Sequence, residues 1–412
     1  MRAVGAVVGA LITVSVGFVP NAVAADAQSQ QWYLESMQAE QMWKASRGEG
    51  VKVAVLDTGV NPNTPSLKGQ VLVDEVPESV SYHATEDYSG HGTSMAELIA
   101  GTGSDGGLQG LAPGAKIVPY RVQLGGLKTG TAEYEKTPKA WEALKAAADT
   151  DAKIISMSFG GMTTEEDEAA INYAASKGKL LIASVGNNAE DGGSGYINYP
   201  AAYPYVVGVS AVDASGKVSK FASSGNDVDL AAPGQDFPGW CNTKFSSYCD
   251  REGTSPAAAI ASASAALIWS AHPDWTVNQV TRALIDTAGR TWSKDNPSKY
   301  LGYGIVRPRM VLENANYDPG AADTDPLAEE NGGDLLAKSG ASSSAASSAP
   351  SDSASTSSQA PEKGSTGGTS AAGSSAESAD DSNTLWIALG AAAAVIVIGG
   401  AGAAVLRTRR AR

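Results

Sequence analysis

The sequence predicts an α/β fold in which helices cover both faces of a parallel β-sheet, followed by a disordered tether and one C-terminal transmembrane helix. Three observations predict it. Apolar runs without clear polar alternation recur through the middle of the chain, and such runs are typical of strands buried on both faces. Helical stretches separate these runs. A low-complexity segment and a long uncharged run then follow.

The strands are predicted where β-branched and other apolar residues run together. The first run stops at Asp57-Thr58-Gly59, a sequence typical of a turn. Because helical stretches lie between successive runs, we expect the strands to be parallel. The six predicted strands cover residues 51–56, 116–122, 154–158, 180–185, 205–210 and 228–232.

Two helices are predicted from the residues at their ends. The helix over residues 138–148 is expected to have Thr137 as its N-cap and Pro138 at its first position. The next helix, over residues 165–177, is expected to have Thr164 as its N-cap. Acidic residues fill its first turn, where the helix dipole favours negative charge.

The N-terminus is typical of a secretory signal peptide over residues 1–24. Arg2 supplies the positive charge, residues 4–19 form an uncharged apolar run, and Ala22-Val23-Ala24 matches a cleavage site. A transmembrane anchor is the alternative, but a run of 16 residues is short for a span. Residues 25–50 then form an N-terminal extension before the main domain.

The main domain is expected over residues 51–316, and a linker is expected over residues 317–384. The linker is rich in Ser, Ala, Gly and Pro and contains 11 acidic and 2 basic residues. Such a segment buries too little apolar surface to offset its ordering entropy, which predicts disorder. Residues 385–406 contain no charge and would reach about 33 Å as a helix, enough to span a bilayer.

The charges beside this run predict its orientation. Asp380 and Asp381 precede it, and four arginines lie in residues 407–412. The positive-inside rule places this basic tail in the cytoplasm and the N-terminal bulk of the chain on the other side. A removed lipid-anchor tail is the competing interpretation, but such tails end in apolar residues. We expect a single-pass protein of the cell membrane that contacts membrane lipid through residues 385–406.

Composition argues against several classes of function. The net charge of −14 is unlike the basic surface that nucleic acids require, so no nucleic-acid partner is expected. Two cysteines and three histidines are too few for a four-thiolate zinc site or a histidine-rich metal centre. We predict no metal and no cofactor. Cys241 and Cys249 lie in the exported region, where a disulfide is expected, and two free thiols are the alternative.

Asp57 and His91 occur in settings that suit acid–base chemistry. A carboxylate after a strand, as at Asp57, can orient a neighbouring imidazole, and a turn aspartate is the alternative. An aspartic protease would need a second motif of this kind, which the sequence lacks. His91 lies in Gly90-His91-Gly92-Thr93, before a helix predicted over residues 94–100. The glycines leave the imidazole open to a cleft, where it can exchange protons near neutral pH.

Ser255 occurs in a setting that suits a nucleophile. It lies in Gly253-Thr254-Ser255-Pro256, and the small residues that follow would let a helix pack closely. Because proline suits the first turn of a helix, we expect Ser255 at a helix N-terminus, where the dipole favours developing negative charge. A serine that only caps the helix is the alternative.

Together these motifs are more specific than any one of them. The order Asp57, His91, Ser255 is the order of the subtilisin triad, and over residues 51–315 the chain resembles the subtilisin-like serine peptidases. The resemblance implies Ser255 as nucleophile, His91 as general base and then acid, and Asp57 as the residue that orients His91.

Two further segments are similar to segments of this family. Gly186-Asn187 follows a predicted strand, and the resemblance implies that the Asn187 amide donates to the oxyanion. A turn asparagine is the alternative. Ser158, Phe159 and Gly160 resemble the segment along which an extended substrate pairs. Core packing is the alternative for Phe159.

The whole layout resembles the mycosins, which are membrane-anchored subtilisin-like proteases associated with type VII secretion. The signal peptide, the tether with its span, and the stretch from Gln31-Trp32-Tyr33-Leu34 to Met42-Trp43-Lys44 carry the resemblance. It implies that residues 25–50 pack on the catalytic domain and that a type VII secretion membrane complex is a partner. The leading hypothesis is an extracytoplasmic serine endopeptidase that cleaves secreted proteins. The alternative is a structural component of the complex with dispensable proteolysis.

Overall fold

Six parallel strands form the central sheet of the computed structural model, which describes residues 27–189 and 195–333. The chain divides into two units, residues 1–346 and 347–412, and every described residue belongs to the first. All strand residues of this sheet are buried except Lys52 and Lys116. The strands are β1 (Lys52–Asp57), β2 (Lys116–Arg121), β3 (Ile154–Met157), β4 (Leu180–Ser184), β5 (Val206–Val212) and β6 (Leu230–Pro233).

The order of the strands places a crevice beside β1. Across the sheet the order is β2-β1-β3-β4-β5-β6, so the chain moves from β1 to one edge and then returns to its other side. In open parallel sheets, ligands bind outside the carboxyl ends of the strands at such a reversal. Asp57 is the last residue of β1, and Ser158 follows β3 directly.

Helices cover both faces of the sheet, which confirms the predicted α/β fold with a parallel sheet. On one face α3 and α7 pack against each other, and on the other face α5 packs against α6. The helices are α1 (Trp32–Ser36), α2 (Ala39–Met42), α3 (His91–Ala100), α4 (Ala132–Lys136), α5 (Ala140–Ala148), α6 (Glu165–Ser176), α7 (Thr254–Ala271), α8 (Val277–Thr287) and α9 (Arg309–Leu312).

The longest of these helices, α7, runs under the sheet and carries Ser255 at its start. It contacts β3, β4, β5 and β6 as well as α3, and nearly all of its residues are buried. A helix that is apolar on every side is stable only when it is enclosed on every side. Its many alanines allow the close approach that this position requires.

Two predicted helix starts are wrong, and one is confirmed. Thr164 caps α6 by accepting the amide N–H of Asp167 at 3.1 Å. Thr137 does not begin α5. It ends α4 instead, where its hydroxyl donates to the Glu133 carbonyl at 2.8 Å, and α5 begins only at residue 140. The helix predicted over residues 94–100 begins three residues earlier, at His91.

An antiparallel hairpin that the sequence pattern does not predict lies beside the sheet. It consists of β7 (Phe237–Trp240) and β8 (Tyr248–Arg251), with Phe237 opposite Arg251. Cys241 and Cys249 close the hairpin loop with a disulfide, and their Cα atoms are 5.1 Å apart. Because β8 leads directly into α7, the hairpin sets the path of the chain just before Ser255.

Both flanking segments contact this domain where the structure describes them. Trp43, in the N-terminal extension, donates its indole N–H to the carbonyl of Leu111 at 2.8 Å. The predicted linker begins as packed chain, because Leu327 is buried and Asn331 accepts the amide of Tyr205 at 2.7 Å. The packed domain therefore extends past residue 316, at least to Gly333.

The predicted membrane elements fall outside the described residues. These are the signal peptide over residues 1–24, the span over residues 385–406 and the tail over residues 407–412, together with most of the linker. Between residues 27 and 333, leaving out 190–194, no helix is both long enough and apolar enough to cross a bilayer.

Candidate active site

Asp57 and His91 form a hydrogen bond at the carboxyl end of β1. The Nδ1 of His91 donates to Oδ1 of Asp57 at 2.7 Å. The carboxylate is fully buried, whereas 36% of the imidazole is exposed. The same carboxylate oxygen accepts the amide N–H of Thr58 at 2.8 Å. With Nδ1 held in this way, Nε2 is the nitrogen that exchanges protons with a molecule in the cleft.

The glycines around His91 are explained by the close approach of α3 to β1. Gly90 caps the helix in a left-handed conformation, with φ of 82°. A Cβ atom at Gly92 would lie 2.3 Å from the carbonyl oxygen of Gly59 and 2.9 Å from the Cβ of Asp57. A side chain at Gly92 would therefore push the helix away and separate His91 from Asp57.

Asp87 was not among the residues selected from the sequence, yet it holds the loop before His91. Its Oδ1 accepts the two backbone amides that precede His91 and the hydroxyl of Thr58, at 2.9, 2.7 and 2.7 Å. Its Oδ2 accepts the amide and the hydroxyl of Thr93, at 2.9 and 2.7 Å. An aspartate four positions before the histidine, in Asp-x-x-Gly-His-Gly-Thr, is the signal that could have identified it.

Arg121 supports the same loop from the end of β2. Its side chain is buried, and its guanidinium donates to the carbonyl of Glu86 at 2.8 Å and lies 4.8 Å from the centre of the Tyr88 ring. It also forms an ion pair with Glu133, in α4. A charged residue that ends an otherwise apolar strand is the sequence signal for this role.

The surroundings of His91 raise its pKa above the usual 6.5. Burial acts most strongly and lowers the pKa of His91, but the charge and hydrogen bond of Asp57 raise it, and Asp87 raises it further. The positive charge of Arg251 opposes this rise. The imidazolium form is therefore stabilised, as a general base requires once it has taken up a proton.

Ser255 lies in the first turn of α7, as the sequence predicts. Its hydroxyl donates to the carbonyl of Ser158 at 2.9 Å, and the Ser158 hydroxyl donates to the carbonyl of Ser255 at 3.0 Å. Ser255 and His91 both line one cleft. For its proton to pass to His91, the Ser255 hydroxyl has to rotate away from Ser158 about a single bond.

Asn187 follows β4 and lines the cleft together with Ser255. Its side-chain oxygen accepts the amide and the hydroxyl of Thr254 at 2.9 and 3.0 Å, so the NH₂ group is the end left for a ligand. A Cβ atom at Gly253 would lie 3.2 Å from that NH₂ nitrogen, which shows how closely the chain passes it. The arrangement suits a donor to negative charge that develops beside Ser255.

The segment over residues 158–160 leaves β3 beside the nucleophile. Ser158 is buried, Phe159 is half-buried against the core, and Gly160 is exposed. The next residue, Gly161, donates its amide to the carbonyl of Tyr199 at 2.8 Å, which holds the segment extended. Ser158 thus contacts Ser255, and the Phe159 side chain packs against the core. Substrate pairing along residues 158–160 stays a prediction.

The cleft is a cavity of about 260 Å³ beside α3, the hairpin and the start of α7. Its walls include Met95, Leu98, Phe237, Trp240, Arg251 and Glu252. In the part of the chain that the structure describes, no group of three or more His, Cys, Asp or Glu side chains is arranged to hold a metal ion.

A third buried carboxylate lies in α3 near this cleft. Glu97 is fully buried and accepts hydrogen bonds from the hydroxyls of Ser66 and Tyr248 at 2.8 and 3.0 Å. Burial raises the pKa of Glu97 to about 7, although these donors act in the opposite direction. Tyr248 also stacks on Trp240, with ring centres 4.0 Å apart, so Glu97 helps to hold the cleft wall.

Comparison with known proteins agrees with this geometry. The sequence model of the subtilase family matches residues 48–304, more than half of the chain. The major intracellular serine protease of Bacillus subtilis (strain 168) is 34% identical over 263 residues, which cover 61% of this chain and 79% of that protein.

Solved structures of mycosin proteases are also similar. The MycP3 protease from the type VII (ESX-3) secretion system has 29% identity and a TM-score of 0.56, covering 68% of this chain and 87% of that one. MycP1 from Mycobacterium smegmatis has 25% identity and a TM-score of 0.58, covering 74% and 88%. The chain belongs to the subtilase family and is a subtilisin-like serine endopeptidase.

Proposed function

We propose that this endopeptidase is anchored in the membrane, acts on exported polypeptides, and uses Ser255, His91 and Asp57 as nucleophile, general base and orienting residue. The observation that supports these roles most directly is the 2.7 Å hydrogen bond from His91 to Asp57, in a site whose cleft also contains Ser255. The substrate class follows from the family, whose members hydrolyse peptide bonds.

In the first step the Ser255 oxygen attacks the scissile carbonyl carbon, and its proton passes to Nε2 of His91. Asp57 keeps the other ring nitrogen protonated and stabilises the imidazolium that forms. The carbonyl oxygen becomes negative beside the first turn of α7 and the Asn187 amide, where the helix dipole and a fixed donor favour it.

In the second step His91 returns the proton to the leaving amine, and the peptide bond breaks. A water molecule then attacks the acyl group on Ser255 while His91 takes its proton. The ester bond to the Ser255 oxygen breaks, His91 returns the proton to that oxygen, and the acid product leaves. The raised pKa of His91 fits this double role, because the ring has to hold a proton between the two transfers.

The Ser255→Ala variant tests the nucleophile. This variant should not be labelled by a serine-directed phosphonate. Its kcat should fall by a factor on the order of 10⁶, which is the loss known for removal of the nucleophile of subtilisin. Ser262→Ala, in the same helix but buried in the core, is the matched control and should be labelled like the wild type. Undiminished labelling of the Ser255 variant would reject the assignment.

Membrane anchoring is supported by the uncharged run over residues 385–406, between Asp381 and Arg407. A protease added to wall-stripped cells should release a soluble catalytic fragment by cutting within residues 334–384, and a tag after Arg412 should stay intact. If the tag is digested while the catalytic domain survives, the topology is the opposite of the one proposed.

Association with type VII secretion is supported by the similarity to the MycP3 protease. Deletion of the gene should stop export of a type VII substrate, whereas Ser255→Ala should stop only its processing, because this change removes one oxygen atom from the cleft and alters no outer surface. Equal loss of export in both strains would reject the structural role. Normal export in the deletion strain would reject the association.

A further inference from the structure

We infer that the N-terminal extension takes part in substrate binding. Tyr33 positions Phe237 and thereby the wall of the cleft that contacts the substrate residues on the leaving-group side of the scissile bond. This inference rests on the proposed roles of Ser255 and His91. It assigns to Tyr33 the role of a positioning residue, since its side chain contacts the wall of the cleft and not the reacting atoms.

The cleft has two distinguishable sides. Ser158 exchanges hydrogen bonds with Ser255 on the side where the acyl part of the substrate pairs. His91 lines the cavity together with Phe237 and Arg251 from the hairpin, whereas Ser158 is not one of the residues that line it. Because His91 protonates the leaving amine, the residues that depart with this amine pass along the hairpin.

Phe237 lines this cleft and also contacts the N-terminal extension. The ring of Tyr33 stacks on it, with centres 4.5 Å apart and planes 15° apart. Trp32 meets the same ring edge-on at 6.1 Å. Both Tyr33 and Phe237 are almost completely buried, so the Tyr33 ring fills the space on the side of Phe237 that meets the extension.

The extension is fixed at several points around this stack. Gln31 pairs with the backbone of Gln109 as a strand would, with its amide NH₂ donating at 2.8 Å and its oxygen accepting at 2.9 Å. The indole of Trp32 donates to the carbonyl of Gln235 at 3.0 Å. Tyr33 is therefore held against Phe237 by contacts on both sides of it.

A shift of Phe237 would reach the catalytic centre by a short route. Phe237 lies opposite Arg251 in the hairpin, and Arg251 is four residues before Ser255. Arg251 is tied back to the hairpin by hydrogen bonds to the carbonyls of Trp240 and Cys241, at 3.0 and 3.3 Å. Loss of the Tyr33 ring should thus loosen the hairpin wall more than it disturbs the part of the site that binds the acyl side of the substrate.

The test compares two substrates made from one cleavage site, which is mapped by mass spectrometry in casein digested by the full-length wild type. One substrate is the acyl-side peptide joined to p-nitroaniline, and the other is an internally quenched peptide that continues for several residues beyond the scissile bond. The readout is the ratio of their kcat/KM values, because general destabilisation lowers both alike.

In Tyr33→Ala we expect kcat/KM for the extended peptide to fall about two- to tenfold relative to the p-nitroanilide, the worth of one aromatic pair. Tyr33→Phe keeps the ring and should keep the wild-type ratio. Trp43→Ala removes a comparable anchor of the same extension that is remote from Phe237, and should also keep it. Trp32→Ala, at a half-buried position, is the milder variant and should lower the ratio in the same direction.

If Tyr33→Ala and Trp32→Ala lower kcat/KM equally for both substrates, so that the ratio does not change, the inference is overturned. An altered ratio in Trp43→Ala would also overturn it, because the effect would then follow anchoring of the extension in general. A wild-type protein that leaves casein uncut would reject the proposed function, and this inference with it.

Discussion

The two halves of the active site are held by different kinds of chemical group. The half with His91 is held by carboxylates, since Asp57 and Asp87 are buried beside the start of α3 and Glu97 is buried further along the same helix. Ser255 and Asn187 are held by neutral partners, namely the Ser158 carbonyl and hydroxyl and the amide and hydroxyl of Thr254.

This difference shows which half should respond to pH. A buried carboxylate changes both its charge and its hydrogen bonds when it gains a proton, whereas a backbone amide or a hydroxyl does not titrate near neutrality. Substitutions in the nucleophile half should therefore lower the rate by the same factor at every pH. Substitutions in the acid–base half should move the pH profile or the pH dependence of stability.

The largest effect is expected in the nucleophile half. Asn187→Ala should lower kcat by about 10²–10³ with little change in KM, because the donor acts mainly in the transition state. The loss should be the same from pH 6 to pH 9. Asn188→Ala is the control, because that side chain donates to Asn198 at 3.2 Å, away from the cleft. A pH-dependent loss in Asn187→Ala would contradict the comparison.

The next effect concerns stability in the acid–base half. Folding raises the pKa of Glu97 from 4.5 to about 7, so the folded state holds a proton there that the unfolded chain has lost. Stability should fall as the pH rises from about 4.5 to 7, by about 3 kcal/mol. Glu97→Gln, which never ionises, should lack this fall.

Urea unfolding at pH 5 and pH 8 measures this fall, with the exposed Glu40→Gln as control. The control should keep the wild-type difference between the two pH values. A Glu97→Gln variant with the same difference would show that folding does not raise the pKa of Glu97.

Asp87→Asn should destabilise the protein by about 1–3 kcal/mol, because an amide cannot accept all five of the hydrogen bonds that the carboxylate accepts. It also removes a negative charge that raises the pKa of His91, so the acid limb of kcat/KM should move to lower pH. Initial rates between pH 5 and pH 9 measure the limb. A limb that moves to higher pH would contradict this account.

Arg251→Gln should shift the pH profile of kcat/KM least, and in the direction opposite to the shift in Asp87→Asn. The guanidinium lowers the pKa of His91, so its removal should move the acid limb to higher pH. Arg251→Lys keeps the charge and should keep the wild-type limb. If both variants move the limb equally, the change comes from the hairpin and not from charge.

Several features were predictable because their causes are local in the chain. The apolar runs of β1 and β4 are buried on both faces, and Thr164 caps a helix whose first amides lie within three residues of it. The motifs around Asp57, His91 and Ser255 are short enough to be found without knowing what packs beside them.

Other features depend on neighbours that are distant in sequence. The start of α3 at His91 depends on the contact of Gly92 with Gly59, and the role of Thr137 depends on a short helix that precedes it. Strand β7 has no polar alternation that would predict a strand, because all four of its residues are buried under α3 and the N-terminal extension.

By itself the sequence predicted which residues carry the chemistry, since Asp57, His91 and Ser255 each occur in a distinctive short motif. Tertiary structure alone decided what holds them. Asp87 accepts hydrogen bonds from Thr58 and Thr93, which closely follow Asp57 and His91 in the chain. The N-terminal extension contacts the segment that begins the hairpin, and Trp32 and Gln235, which are hydrogen-bonded there, are 203 positions apart in the sequence. Hydrogen bonds and ring stacking act over a few ångströms in space, and only the folded chain shows which distant residues come that close.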